Sequence, residues 1–329
     1  MDLLLARPRG FCAGVTRAIE IVERALEIHG APVYVFHEIV HNQHVVRDLE
    51  ALGAVFVNEI EAIPRGSVTV LSAHGVARSV ERAAERRELV VIDATCPLVA
   101  KVHLQVQRFA RQKYHVVLIG HAGHDEVVGT VGKIDEPVHV VASIEQIEGL
   151  PMPSDARVAY VTQTTLSVDD TRELIEALTR RYPHLVGPEI DDICYATQNR
   201  QVAVKQLADE VDVVLVVGAP NSSNTHRLQE VAALRGKPAY RIADAGELDP
   251  HWLVGARRVG ITAGASAPEY LVDGVRRRLH ELGVENEQEI AAMRENVTFR
   301  LPAAVLRRRP SALPVSEPVP ALAAVPLSR

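Results

Sequence analysis

The sequence predicts an α/β protein built from three small α/β domains with parallel-type sheets in a pseudo-threefold arrangement. Three observations carry this expectation. Strand-like apolar runs alternate with helical patterns, the order of βαβ units. Each of three cysteines precedes a segment able to open a helix: Cys12-Ala-Gly-Val, Cys96-Pro-Leu-Val and Cys194-Tyr-Ala-Thr. Counting forward from each cysteine then meets a polar group at the end of an apolar run, twice per copy. The first set is His41, His124 and Ser222, at +29, +28 and +28; the second is His74, Thr164 and Ser266, at +62, +68 and +72.

The elements follow in order. Leu3 to Ala6 reads as a buried strand that turns at Pro8-Arg9-Gly10. Ala18 to Ile28 has a helical pattern, Val33 to Phe36 reads as the strand before His41, and VTVLSAHGV as the strand before His74. In the second copy Pro97 suits a first helical position, where a missing N–H costs nothing. Val116 to Ile119 leads to His124, VAYVTQTTL leads to Thr164, and Thr171 to Arg181 is helical in pattern. In the third copy Val213 to Val217 leads to Ser222, Thr225 to Leu234 is helical, and VGITAGASAP carries Ser266. The expected division is a strand and first cysteine, 1–13, packing with the third domain. Domains follow at 14–95, 96–193 and 194–283, with a closing segment at 284–301. Residues 302–329 hold six prolines and no helical or strand period, the composition of a disordered tail. Ligands of parallel sheets gather beyond the carboxyl ends of strands. The repeat would therefore bring three cysteines and six polar residues to one central cavity. Any α/β protein gives recurring strand-loop spacings; the cysteine at one phase in all three copies is what favours a repeat.

Bulk composition narrows the function. At 329 residues the chain is too long for one ordinary core. A net charge of −6 with no basic block in the body of the chain argues against nucleic-acid binding. No apolar run reaches the roughly 18 residues of a membrane span, and the N-terminus makes a poor signal peptide. Three cysteines, 84 and 98 residues apart, are an odd number and no disulfide framework. The expectation is a cytoplasmic protein, with a monomer as the default.

Helix N-termini favour the thiolate, the form that ligates metal. Three thiolates without a C-x-x-C pair suit a cubane iron–sulfur cluster with one iron open to substrate. Each cysteine alone would more often be a small buried hydrophobe; three at one repeat phase are what favour the metal reading. Ala219-Pro-Asn-Ser-Ser-Asn-Thr and Thr262-Ala-Gly-Ala-Ser-Ala-Pro offer hydroxyls, an amide and backbone N–H groups to an anion. Ordinary helix capping would use the same residues. Neither segment is a P-loop, and no G-x-G-x-x-G is present. In Gly120-His-Ala-Gly-His-Asp-Glu126 a carboxylate lies two residues beyond His124, placed for acid–base work or for the positive end of the next helix. Rival readings are an aconitase-type hydro-lyase, an iron–sulfur sensor and a zinc-binding structural protein.

The strings PRGFCAGV, HEIVHN, SAHGV, DATCPLV, IGHAGHDEV, TQTTLSVDD, DDICYAT with NRQ, NSSN, TAGASAP and ENVTFRLP, in that order over roughly residues 1–301, resemble the LytB/IspH family. The resemblance implies a trefoil of three α/β domains around one [4Fe–4S] cluster on Cys12, Cys96 and Cys194, its fourth iron open. It implies reduction of a small allylic diphosphate, 4-hydroxy-3-methylbut-2-enyl diphosphate, to isopentenyl and dimethylallyl diphosphate. The diphosphate would be held by His41, His74, His124, Ser222, Ser223, Asn224 and Ser266. Thr164 would sit by the substrate hydroxyl and Glu126 would supply protons. With no flavin or NADPH fingerprint, electrons would come from a separate ferredoxin or flavodoxin.

Overall fold

The computed structural model of the chain describes residues 1–188 and 192–306. It opens with β1 (Asp2–Arg7), α1 (Ala13–His29), β2 (Val33–Phe36), α2 (Gln43–Ala51), β3 (Ala54–Val57), β4 (Val68–Leu71), α3 (Arg78–Arg86) and β5 (Val90–Asp93). The middle third holds α4 (Pro97–Arg111), β6 (His115–Ile119), α5 (Asp125–Val131), β7 (Val138–Val141), α6 (Ile144–Glu148), β8 (Val158–Thr162) and α7 (Val168–Arg181). The last third holds α8 (Tyr195–Glu210), β9 (Val213–Val217), α9 (Ser223–Leu234), β10 (Ala239–Ile242), β11 (Arg258–Ala263), α10 (Glu269–Glu281), β12 (Asn286–Ala291) and α11 (Ala303–Leu306).

These strands form three sheets, ordered β3-β2-β4-β5, β7-β6-β8 and β10-β9-β11-β1-β12. Every pairing within them is parallel. The same three-strand core recurs: the first strand of each copy (β2, β6, β9) is central, flanked by the second on one side and the third on the other. A fourth position lies beyond the third strand and feeds the next cysteine. It is filled by β5 before Cys96 and by β1 before Cys12. Before Cys194 it shrinks to one parallel bridge between Val186 and Ala159 of β8. The chain's first strand thus completes its last sheet, closing the trefoil.

Each sheet is covered on both faces, as parallel sheets require, and alternate residues divide between the two. In the first sheet Val33, Val35, Val70 and Ile92 pack on α1 and α2, while Phe36 and Leu71 pack on α3. In the second, Val117 and Ile119 face α7, and Val116 and Leu118 face α4. In the third, Leu215 and Ile261 face α10, and Val214 and Val216 face α8 and α9. α7 and α9 begin earlier than their periodicity suggests because caps set the boundary: Ser167 accepts from the N–H of Asp170, and Ser222 from that of Thr225.

Two elements depart from the sequence expectation. The closing segment contains strand β12, paired to β1 from Asp2–Asn286 to Arg7–Ala291. Its exposed, charged NEQEIA run carries no strand signature. The tail expected from 302 begins later, because α11 buries Val305 against the core under α1. The rest of that tail, 307–329, lies outside the described residues. No helix among the described residues is long and apolar enough to cross a membrane.

Candidate functional site

Each cysteine is the N-cap of a helix: Cys12 of α1, Cys96 of α4 and Cys194 of α8. Each backbone N–H reaches back to the loop that ends the preceding copy. Cys96 donates to the carbonyl of Ala73 at 2.9 Å, Cys194 to Thr164 at 3.0 Å and Cys12 to Ala265 at 3.2 Å. Those acceptors are, or directly precede, the second-set loop ends His74, Thr164 and Ser266. The repeat phase read from the sequence is therefore physical: one hydrogen bond per copy brings a cysteine against a strand-end polar group.

All three thiols line one cavity, together with His41, His74, His124, Glu126, Thr164, Ser222, Ser223, Asn224 and Ser266. Every residue expected at the site is thus brought to it. Gly14 belongs to the lining for a steric reason: a Cβ there would lie 2.7 Å from the sulfur of Cys96 and 3.8 Å from that of Cys12.

The electrostatics of the thiols differ from the sequence expectation. Leu98 and Val99 N–H groups favour the Cys96 thiolate, but burial outweighs them and pushes the thiol up to about 12. Burial likewise lifts Cys194 to about 11. Cys12 adds to both shifts, and Cys194 to that of Cys96, since thiolates repel one another. Three soft sulfur donors on one cavity, two of them held protonated by burial, fit a cationic metal centre, which would favour their thiolate forms.

Opposite the thiols lies an imidazole cluster. His41 stacks on His74 with ring centroids 4.1 Å apart, and His124 meets both edge-on at 5.3 and 5.9 Å. His41 Nε2, His74 Nδ1 and His124 Nε2 are buried without a hydrogen-bond partner. Burial, then the neighbouring imidazoles, holds His74 well below its ordinary value, and His124 is brought down to about 4 by the same causes. An entering anion would satisfy the orphan nitrogens and draw protons onto the rings. Ser266 Oγ donates to the His41 carbonyl at 3.0 Å and lies 3.5 Å from Ser222 Oγ. Asn224 Oδ1 accepts from the Ala265 N–H at 2.9 Å. These bonds join the hydroxyl and amide arm to the imidazole arm. His41, His74 and Asp125 also offer ligand atoms within 4.8 Å of one another, a grouping able to hold a metal ion. Asp125, however, is already paired with His37 at 3.3 Å, which holds its carboxyl down at about 2.

Glu126 sits in the first turn of α5, yet its side chain is 2% exposed and turned to Thr164. Its Oε1 accepts from the Thr164 N–H at 2.7 Å and its Oε2 from the Thr164 hydroxyl at 2.8 Å. Burial pushes the carboxyl up to about 7 against those two bonds, which favour the ionised form. Such a group is poised to exchange a proton near neutrality.

The sequence reading missed several supports. Glu38 accepts from His41 Nδ1 at 3.2 Å and from Asn221 Nδ2 at 2.9 Å, orienting the imidazole across two copies. Thr197 lies 3.2 Å from the Cys194 sulfur, and Thr165 bonds Ser223 Oγ at 3.0 Å. Glu38 stands three residues before His41, a spacing that could have marked it.

A model of the LytB protein family matches residues 3–280. The chain belongs to the LytB family. Among LytB relatives, the 4-hydroxy-3-methylbut-2-enyl diphosphate reductase of Zymomonas mobilis is 57% identical, the match covering 92% of this chain and 89% of that one. A second reductase so named, from Bradyrhizobium diazoefficiens, is also 57% identical, covering 92% and 98%. The solved E-1-hydroxy-2-methyl-but-2-enyl-4-diphosphate reductase of Plasmodium falciparum superposes with a TM-score of 0.89 at 37% identity, over 93% of this chain and 96% of that one. A solved (E)-4-hydroxy-3-methyl-but-2-enyl diphosphate reductase, described as the terminal enzyme of the non-mevalonate pathway, superposes with a TM-score of 0.61 at 37% identity, over 85% and 100%. The LytB trefoil thus spans the chain from β1 into its closing segment.

Proposed function

We propose that this chain reduces (E)-4-hydroxy-3-methylbut-2-enyl diphosphate to isopentenyl or dimethylallyl diphosphate, the last step of the non-mevalonate isoprenoid pathway. Two electrons and two protons enter; the C–O bond to the terminal hydroxyl breaks; water leaves. The observation that carries this reading is the pairing, in one cavity, of three thiols from three copies with three orphaned imidazole nitrogens.

Cys12, Cys96 and Cys194 would hold a [4Fe–4S] cluster, which when bound supplies electrons one at a time and an open iron as Lewis acid. The chain's own residues do the rest. His41, His74 and His124, with Ser222, Ser223, Asn224 and Ser266, grip the diphosphate. Binding energy spent on that remote group positions the reacting end of a small substrate. Thr164 orients the hydroxyl, and Glu126 delivers a proton to the departing oxygen. Proton delivery to one or the other end of the allylic unit then sets which product forms. Electrons come from a separate ferredoxin or flavodoxin, and the enzyme works as a cytoplasmic monomer.

The test is iron and sulfide content of anaerobically purified protein, with visible and EPR spectra before and after adding the allylic diphosphate. About four irons per chain, a spectrum altered by substrate and two electrons consumed per product are expected. One zinc without sulfide, or a cluster spectrum indifferent to the diphosphate, would overturn the reading.

A further inference from the structure

Three cationic side chains outside the cavity lining share a relation that no single copy reveals. Each stands five or six residues after a cysteine, and each reaches the segment just before the next cysteine of the trefoil. Arg17, on the helix capped by Cys12, donates through Nη1 to the carbonyls of Ala94 at 3.2 Å and Thr95 at 3.1 Å, the two residues before Cys96. Lys101, on the helix capped by Cys96, pairs through Nζ at 3.2 Å with Asp192, two residues before Cys194. Arg200, on the helix capped by Cys194, donates to the carbonyl of Gly10 at 2.7 Å and that of Phe11 at 3.3 Å, the two residues before Cys12. The third contact returns to the first cysteine, so the ring closes head to tail. The Asp192 carboxylate and the Arg200 side chain are wholly buried. The closing segment braces two of the three latches: Glu295 pairs with Arg200 at 3.0 Å, and the Arg300 carbonyl accepts from Arg17 at 2.9 Å.

We infer that Arg17, Lys101 and Arg200 form a ring of latches that fixes the mutual spacing of the three cysteines, and so governs how firmly the chain retains its cluster. This rests on the three-cysteine reading proposed above. Units with separate cores move relative to one another unless something ties them, whereas one metal centre needs three sulfurs at a fixed separation. The N–H bonds of the cysteines hold each loop to its neighbour; the latches hold the start of each cysteine helix to the approach of the next. Charge-assisted bonds to carbonyls and a carboxylate suit that task. A cluster bound by three thiolates also becomes more negative on reduction, and nearby cations favour the reduced state. These are positioning residues, since none lines the cavity.

The test uses the full chain as Arg17→Met, as Lys101→Met combined with Asp192→Asn, and as Arg200→Met combined with Glu295→Gln, so that neither carboxylate is left unpaired. Arg24→Met serves as control; it breaks an exposed Arg24–Glu27 pair on α1. Iron release to a chelator under anaerobic conditions, the cluster's reduction potential and the thermal midpoint of the apoprotein are measured. The expected result is release at least about tenfold faster in each latch variant, corresponding to about 1.4 kcal/mol. The potential should be more negative in Arg17→Met, which removes a cation bonded only to carbonyls, and the apoprotein should melt like the control. Lys101→Arg and Arg17→Lys should restore retention. Wild-type retention in both Arg17→Met and the Lys101→Met, Asp192→Asn double variant would overturn the inference. So would apoprotein midpoints that fall in step with iron loss, because the latches would then serve only the fold. A wild-type chain that takes up no iron or sulfide fails the cysteine reading itself, and the inference with it.

Discussion

Glu126 is where single-residue chemistry is most exposed to test. Its carboxyl, lifted to about 7 by burial, is a proton donor below that value and an ineffective one above it. The sign follows: turnover limited by proton delivery falls as pH rises through about 7. Glu126→Gln keeps the shape but not the proton, so iron content should persist while kcat drops about 10²–10⁴-fold and the limb disappears. Near-normal turnover in that variant would remove Glu126 from the mechanism. Thr164→Val deletes a hydrogen bond that favours the carboxylate, which raises the value further and moves the descending limb to higher pH. A limb that stays put would mean another group sets it. Thr164 was legible in the sequence because a loop end at a fixed distance from a cysteine is a one-dimensional signal, and Glu126 because it stands two residues beyond another such end, His124. Arg17, Lys101 and Arg200 were not, since each gains its role from a partner brought near by the fold. Nothing in the spacing of Arg200 shows that it meets Gly10, 190 residues away.

At the scale of elements, strands were readable where both faces are buried. Val213–Val217 is apolar throughout and interior to its sheet, between β10 and β11. By contrast β12 is exposed along most of its length and held by backbone pairing to β1, which leaves no pattern in its side chains. The fourth position before Cys194 is one bridge long, too short for any period. Between elements, close approach marks the seam that brings His74 to His124. Gly129, on α5, would place a Cβ 2.9 Å from the carbonyl oxygen of Gly75 and 3.3 Å from the Val76 nitrogen, in the loop carrying His74. Backbone cannot yield as a side chain can. Gly129→Ala should therefore cost about 1–3 kcal/mol by overpacking, less a helix-propensity gain of up to ~1 kcal/mol, and raise KM for the diphosphate by displacing His74. Gly274, on α10, has only Ala245 Cβ at 3.8 Å in its way. Gly274→Ala should be neutral or stabilising by about 0.5–1 kcal/mol. Urea denaturation of both variants checks the contrast; equal effects would show the seam to be looser than its geometry.

For the whole molecule, the question is whether the centre holds the fold or the fold holds the centre. Small zinc domains lack a sufficient core and unfold without metal. This trefoil is built otherwise: among the described residues six clusters of buried apolar side chains flank the three sheets, and of the cysteines only Cys12 packs against one of them. The cavity lining sets the three thiols and the polar loop ends among apolar side chains such as Val15, Leu98 and Val99, and it lies where strand ends converge. Stripping iron with a chelator under anaerobic conditions should therefore leave a folded α/β protein with a cooperative thermal transition. The midpoint should be lower by the linkage that any ligand of the native state contributes. Loss of order should concentrate where the copies meet. Amide exchange should quicken at Cys12, Cys96 and Cys194, whose N–H groups bridge to neighbouring loops, while Leu215 and Ile261 in the third sheet and Val117 in the second keep their protection. Exchange that rises evenly through all three sheets, or an apoprotein without a cooperative melt, would mean that the centre is part of the core and that the three copies do not stand without it.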